Sequence, residues 1–243
     1  MKGAYLAFDT TGASCAVALA CDGKVMASRF EAMSRGQSER LIPLVEEVMK
    51  EAGLEYSDLE GLAVTTGPGG FTGVRIGLAA ARGMALALDI PVVGVSAFDV
   101  LAHALSGADA LSSSDSRESR LLIVLDAKRD DLFAQSFDLD GRALADPMAV
   151  NPSKLARILE GQSLFVAGNA LDQVLDDLED ASCSCSVLEQ GERISGEMIL
   201  ACVQEQGLFG KPVGSAALQP LYLRPPDVSL PAKKQPPREE NPK

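Results

Sequence analysis

The sequence predicts an α/β protein built as two lobes. Three observations carry that expectation: short alternating stretches that read as hairpin strands open each half, longer stretches of helical period follow them, and a serine-rich break separates the halves. With 243 residues, 47% of them hydrophobic, the chain can bury one large core or two modest ones.

In the first half, residues 5–9, 14–20 and 24–32 alternate as three antiparallel strands, with a turn at Asp22 and Gly23. Residues 38–52 then switch to helical spacing, with Leu41, Leu44, Val45, Val48 and Ala52 on one stripe, and Gly53 ends that helix. Pro43 either moves the helix start later or kinks it. A buried strand at 62–66, a glycine-rich turn, a helix at 72–88, a strand at 91–95 and a helix at 97–105 complete the first lobe, residues 1–105. Six of the fourteen residues in 106–119 are serine, which marks the junction. The second lobe, 120–224, repeats the grammar more weakly: strands at 121–126 and 132–139, then helices at 153–160 and 197–206. The proline-rich segment 225–243 is too polar to order itself. Two such lobes, with mixed sheets and flanking helices, suggest the actin and sugar-kinase type of architecture. Fold class alone leaves the activity open.

Composition removes several function classes. An excess of 34 acidic over 22 basic side chains, a net charge of −12, opposes autonomous nucleic-acid binding, so any RNA is expected to be held mainly by another chain. No stretch of about eighteen uncharged apolar residues stands ready to span a bilayer, and the N-terminus leads straight into a strand, so the expected compartment is the cytoplasm. Five scattered cysteines do not form a disulfide framework, and the one-residue spacing of Cys183 and Cys185 argues against a zinc knuckle, so no metal is expected.

Two motifs remain. At the end of the first strand, Asp9, Thr10, Thr11 and Gly12 place a carboxylate and two hydroxyls where nucleotide-binding lobes face phosphate. The alternative is a turn whose side chains bond local backbone. Residues 67–77 (GPGGFTGVRIG) free backbone N–H groups ahead of a helix, a geometry suited to an anion, which makes Gly69 and Gly70 candidates for nucleotide proximity with Asp9, Thr10 and Thr11. The spacing is neither a P-loop nor GxGxxG.

The helix after this loop carries a small-residue stripe at Gly73, Gly77, Ala80 and Ala81, has Gly83 and Ala87 on another side, and bears charge only at Arg75 and Arg82. Apolar nearly all round, it must be covered on more than one side, either within its own domain or by a second subunit docking as a helix bundle. The surface assigned to such a partner comprises Leu41, Ile42, Val45 and Met49 from the first helix and Phe71, Val74, Arg75, Ala79 and Arg82 from the second.

Residues 6–11, 37–43 (QSERLIP), 67–77, 92–96 (VVGVS) and 220–224 (PLYLR) together resemble the TsaB (YeaZ) family, closely over 4–105 and loosely beyond. The resemblance implies an actin-like two-lobed fold and a non-catalytic subunit of the machinery that installs threonylcarbamoyladenosine beside the tRNA anticodon. It implies pairing with the catalytic relative TsaD through the two first-lobe helices, an association with the ATPase TsaE, a homodimer when the partner is absent, and contact with tRNA only indirectly. No cofactor of its own is implied, although ATP or ADP at or near the complex interface is compatible with it. The catalytic relative's two metal-binding histidines fall at Ala97 and Leu101 here, and His103, the single histidine, is out of register with them. The family's histidine before the Ser-Glu pair is replaced by Gln37. The competing reading is an enzyme, an ATP-dependent phosphotransferase or a metal-dependent hydrolase, with Asp9 and Asp126 as its metal and phosphate residues. A homodimeric binding module unrelated to tRNA is a third reading.

Overall fold

The structure is a computed structural model that describes residues 3–108, 111, 119–189, 191, 193–210 and 218–224. Most of the serine-rich junction and all of the proline-rich tail therefore lie outside the described residues.

Sheet A has the strand order β3-β2-β1-β4-β5, from β1 (Ala4–Asp9), β2 (Ser14–Cys21), β3 (Lys24–Ala32), β4 (Leu59–Thr65) and β5 (Val92–Val95). β1 pairs antiparallel with β2, β2 with β3, while β4 and β5 run parallel to β1 on its other side. Sheet B repeats this arrangement as β8-β7-β6-β9-β10, built from β6 (Arg120–Asp126), β7 (Leu132–Phe137), β8 (Met148–Val150), β9 (Ser163–Ala167) and β10 (Ser184–Val187). Again the first strand pairs with a hairpin on one side and with parallel strands on the other.

Both faces of the central strands are buried, while the edge strands β3 and β10 are largely exposed, and period-two alternation sorts the buried side chains between the faces. Along β1, Leu6 and Phe8 point to an outer core shared with α1 (Gln37–Ala52) and α2 (Phe71–Leu88), while Ala7 points to a central core. Along β6, Leu121, Ile123 and Leu125 join the same central core, and Leu122 and Val124 face α4 (Pro152–Ile158) and α5 (Leu175–Asp180). Between the sheets lie α3 (Ala97–Ser106) and α6 (Gly196–Glu205). The result is five layers: α1 and α2, sheet A, α3 and α6, sheet B, α4 and α5.

Chain order and spatial order part company at α6. It comes from the second half of the sequence yet rests on sheet A, whose floor is made of Ala7, Ala18, Ala20 and Ala63. The approach is so close that a Cβ on Gly196 would lie 2.4 Å from the Ala18 nitrogen.

α1 begins at Gln37 and runs on through Pro43, and its stripe of Leu41, Leu44, Val45, Val48 and Met49 is buried. Gly53 closes it in the left-handed conformation, φ 68°, with its N–H on the last turn. α2 is long and apolar enough to cross a membrane by length and composition, with a mean hydropathy of 1.3, but Val74, Leu78, Ala81 and Ala85 pack in the outer core. Cys15 and Cys202 are buried, which pushes both thiols up to about 12 and leaves them protonated at neutral pH.

Candidate functional site

Two places in this frame carry the residues singled out above. The first is the cleft of about 820 Å³ between the lobes, lined by Asp9, Thr10, Thr11, Gly69 and Gly70 from the first lobe and by Asp126, Lys128 and Asn169 from the second.

Asp9 sits at the end of β1 and is buried. Its Oδ1 accepts from the Thr65 hydroxyl, from the Thr11 hydroxyl at 2.7 Å and from the Thr11 N–H at 3.1 Å. Burial pushes the Asp9 carboxyl above its ordinary value, against the pull of these hydrogen bonds. The Thr10 hydroxyl donates to the Gly73 carbonyl at 2.7 Å, and the Gly70 N–H donates to the Thr11 carbonyl at 2.8 Å. The glycine loop is therefore closed onto the turn that follows β1. A Cβ on Gly69 would meet the Thr11 carbonyl oxygen at 2.4 Å, and one on Gly73 the Thr10 carbonyl oxygen at 2.0 Å.

These distances give the glycines a steric role within the chain itself. Gly69, Gly73 and Gly77 have no side chains because the Thr10–Thr11 backbone and the Thr10 hydroxyl occupy that space. The side of the loop that a Cβ would occupy is thus taken by the chain's own carbonyls. The second-lobe loop is committed inward as well: Asp126 accepts from the Lys128 N–H at 2.6 Å and its ammonium at 2.5 Å. Burial pushes Asp126 up, but these Lys128 contacts outweigh it and hold the carboxyl below its ordinary value.

The Thr65 hydroxyl offers a direct check on this wiring. Thr65→Val removes one donor from the buried Asp9 carboxyl and is expected to cost about 1–3 kcal/mol at pH values where Asp9 is ionised. The sign follows from linkage: the lost hydrogen bond had favoured the ionised form, so the Asp9 pKa rises further in the variant. The penalty is then present where Asp9 is ionised and shrinks as pH falls and the carboxyl is protonated. Urea unfolding at pH 7 and at acid pH reads the difference; an equal loss at both would refute the arrangement.

The second place is the outer surface of α1 and α2, and here the structure corrects the assigned residues. Leu41, Val45, Met49 and Val74 are at most 4% exposed and belong to this chain's own core. Gly73, Gly77 and Ala81 likewise face sheet A and its turn, not a partner. Arg82 turns inward too, donating through Nη2 to the Leu218 carbonyl. What remains outward is Ile42 on α1, with Phe71, Arg75 and Ala79 on α2. Periodicity alone passed over Leu86, which is 79% exposed and continues the same surface with Gly83 and Ala87. The signal for it was present: Leu86 lies seven residues beyond Ala79, two turns along the same face.

Ala97 and Leu101, where the resemblance places a catalytic relative's histidines, are buried apolar residues of α3. His103 pairs with Glu205 of α6 through Nε2 at 2.8 Å. Gln37 is buried at the start of α1, and its amide donates to the carbonyls of Gly12 and Met33 at 3.4 and 3.3 Å.

Five alternating layers, two sheets of one topology and a cleft between them define an actin-like α/β protein. A family model described as TsaD, tRNA N6-adenosine threonylcarbamoyltransferase, matches residues 30–185. The tRNA threonylcarbamoyladenosine biosynthesis protein TsaB of Escherichia coli K12 is 30% identical over 226 residues, 90% of this chain and 94% of that one. The Haemophilus influenzae protein of the same description is 28% identical over 170 residues, 67% of this chain and 70% of that one. Among solved structures, YeaZ from Pseudomonas aeruginosa superposes with a TM-score of 0.73 at 27% identity, covering 92% of this chain and 100% of that one. The chain belongs to the TsaB (YeaZ) family, within the wider group that the threonylcarbamoyltransferase model matches.

Proposed function

We propose that this chain is a non-catalytic subunit of cytoplasmic tRNA threonylcarbamoyladenosine synthesis, which activates a TsaD-type transferase by docking it through the outward faces of α1 and α2. The observation that carries the reading is the exposed face of α2. Phe71, Ala79, Gly83, Leu86 and Ala87 form an apolar and small-residue strip on a helix whose opposite side is already buried against sheet A. Such a strip suits close packing of a second helix. Membership of the family supplies the identity of the process, because the Escherichia coli relative matched over 90% of the chain carries it in its name.

The inward commitment of Asp9, Thr10 and Thr11 supports the non-catalytic part. Side chains already bonded to their own turn have little left to offer a nucleotide. Any ATP or ADP in the assembly belongs, on this reading, to the transferase or to a TsaE-type ATPase, and tRNA is held by the partner. In the partner's absence the same strip pairs two copies of this chain.

The test is reconstitution. Transferase, ATPase, threonylcarbamoyl-adenylate synthase and unmodified tRNA are combined with and without this chain, and modified adenosine is quantified by mass spectrometry. Modification is expected to fall to background when the chain is omitted. Full modification without it would overturn the proposal, and nucleotide turnover by the isolated chain would favour an enzyme instead.

A further inference from the structure

Residues 218–224 form a strap from α2 to sheet B. At one end Leu218 is buried in the outer core, its side chain against Gly94, and its carbonyl accepts from Arg82. The Leu221 N–H donates to the Thr66 carbonyl at 2.8 Å. Next along the strap, Arg75 Nε donates to the Tyr222 hydroxyl at 2.9 Å. The Tyr222 ring stacks on Phe71 with centroids 5.6 Å apart, and the Arg75 guanidinium lies 3.7 Å from the Phe71 centroid. At the far end Arg224 pairs with Asp131 and lies 5.9 Å from the Phe133 ring of β7.

Despite these contacts Phe71 and Tyr222 remain 53% and 45% exposed. Tyr and Arg are among the residue types most enriched at interface hot spots, and Phe is enriched at interface cores. Backbone anchored at both ends lowers the ordering cost of using them. The cluster also continues the outward strip of α2, a helix with two arginines and no acid. The transferase model covers both docking helices but stops at residue 185. The strap lies outside the part of this chain that the transferase model matches.

We propose that the strap is part of the docking surface, with Phe71, Arg75 and Tyr222 as a composite anchor for the transferase subunit. The anchor takes an apolar side chain against the two rings and a carboxylate against the Arg75 guanidinium. The inference rests on the docking function proposed above and names a further determinant within it.

Titration calorimetry of the full chain against the purified TsaD-type transferase tests it. Tyr222→Ala is expected to weaken binding about tenfold or more, and Tyr222→Phe, which keeps the ring, by no more than about threefold. Phe71→Ala, at the exposed start of α2, should match Tyr222→Ala and does not depend on the strap's own stability. Leu86→Arg probes the parent reading. If Leu86→Arg abolishes binding while Tyr222→Ala and Phe71→Ala bind as the unmodified chain does, the anchor is wrong and docking through α2 stands. If all three bind normally, both ideas fail. Tighter binding by Tyr222→Ala would mean that the strap covers the surface instead of forming it, and would also overturn the proposal.

Discussion

Ala79→Arg is expected to abolish binding to the transferase, with a loss of about 100-fold or more in Kd, while leaving this chain folded. Ala79 is exposed at the middle of α2, so the substitution adds nothing to the interior. Within an interface it would bury a charge without a partner of its own. It would also stand one turn from both Arg75 (i−4) and Arg82 (i+3), where like charges repel. Calorimetric titration and thermal unfolding of the same preparation separate the two effects. An unchanged Kd would remove α2 from the interface, and a large fall in Tm would show that the position is structural.

Gly73→Ala should act in the opposite way, through stability. The new Cβ would lie 2.0 Å from the Thr10 carbonyl oxygen, a backbone atom that cannot swing aside. The cost is expected to be about 3 kcal/mol, at the upper end for an overpacked site. In a chain of this size that corresponds to a fall in Tm of about 6–12 °C. The same substitution at Gly83, on the same helix with nothing within 4 Å, should stabilise by about 0.5–1 kcal/mol through helix propensity alone. Differential scanning calorimetry of the pair checks both signs. Equal behaviour would mean that the glycine loop does not close on the turn after β1.

The sequence made the first lobe legible almost element by element, because there local and tertiary signals agree. The α1 stripe is the stripe that packs, Gly53 is the left-handed stop, and Asp22 and Gly23 turn the hairpin with φ 51° and 80°. In the second lobe the signals thin out. β10 exposes most of its four residues, and α5 buries only Leu178, so neither shows a period against its neighbours. β9 is a run of five residues whose pairing is set by β6 and β10, far away in the chain.

The candidate sites were harder for a different reason. Periodicity identifies a stripe but not what covers it. For that reason periodicity does not separate Leu41, Val45, Met49 and Val74, all core, from the outward Ile42, Phe71 and Ala79. The glycines posed the same difficulty at shorter range. A residue without a side chain signals close approach, and only coordinates reveal that the approaching group is the Thr10–Thr11 backbone of the same chain. Tyr222 lies 147 positions from the arginine that holds it, a separation no local pattern can register.

The placement of α6 has a consequence for how this polypeptide can be cut. Because residues 196–205 roof the first sheet, a fragment ending at the serine-rich break would lack the helix that covers Ala7, Ala18, Ala20 and Ala63. The halves look like duplicates on paper, but the first is expected to lose stability when expressed alone. The strands made first gain their inner cover from residues made about 190 positions later.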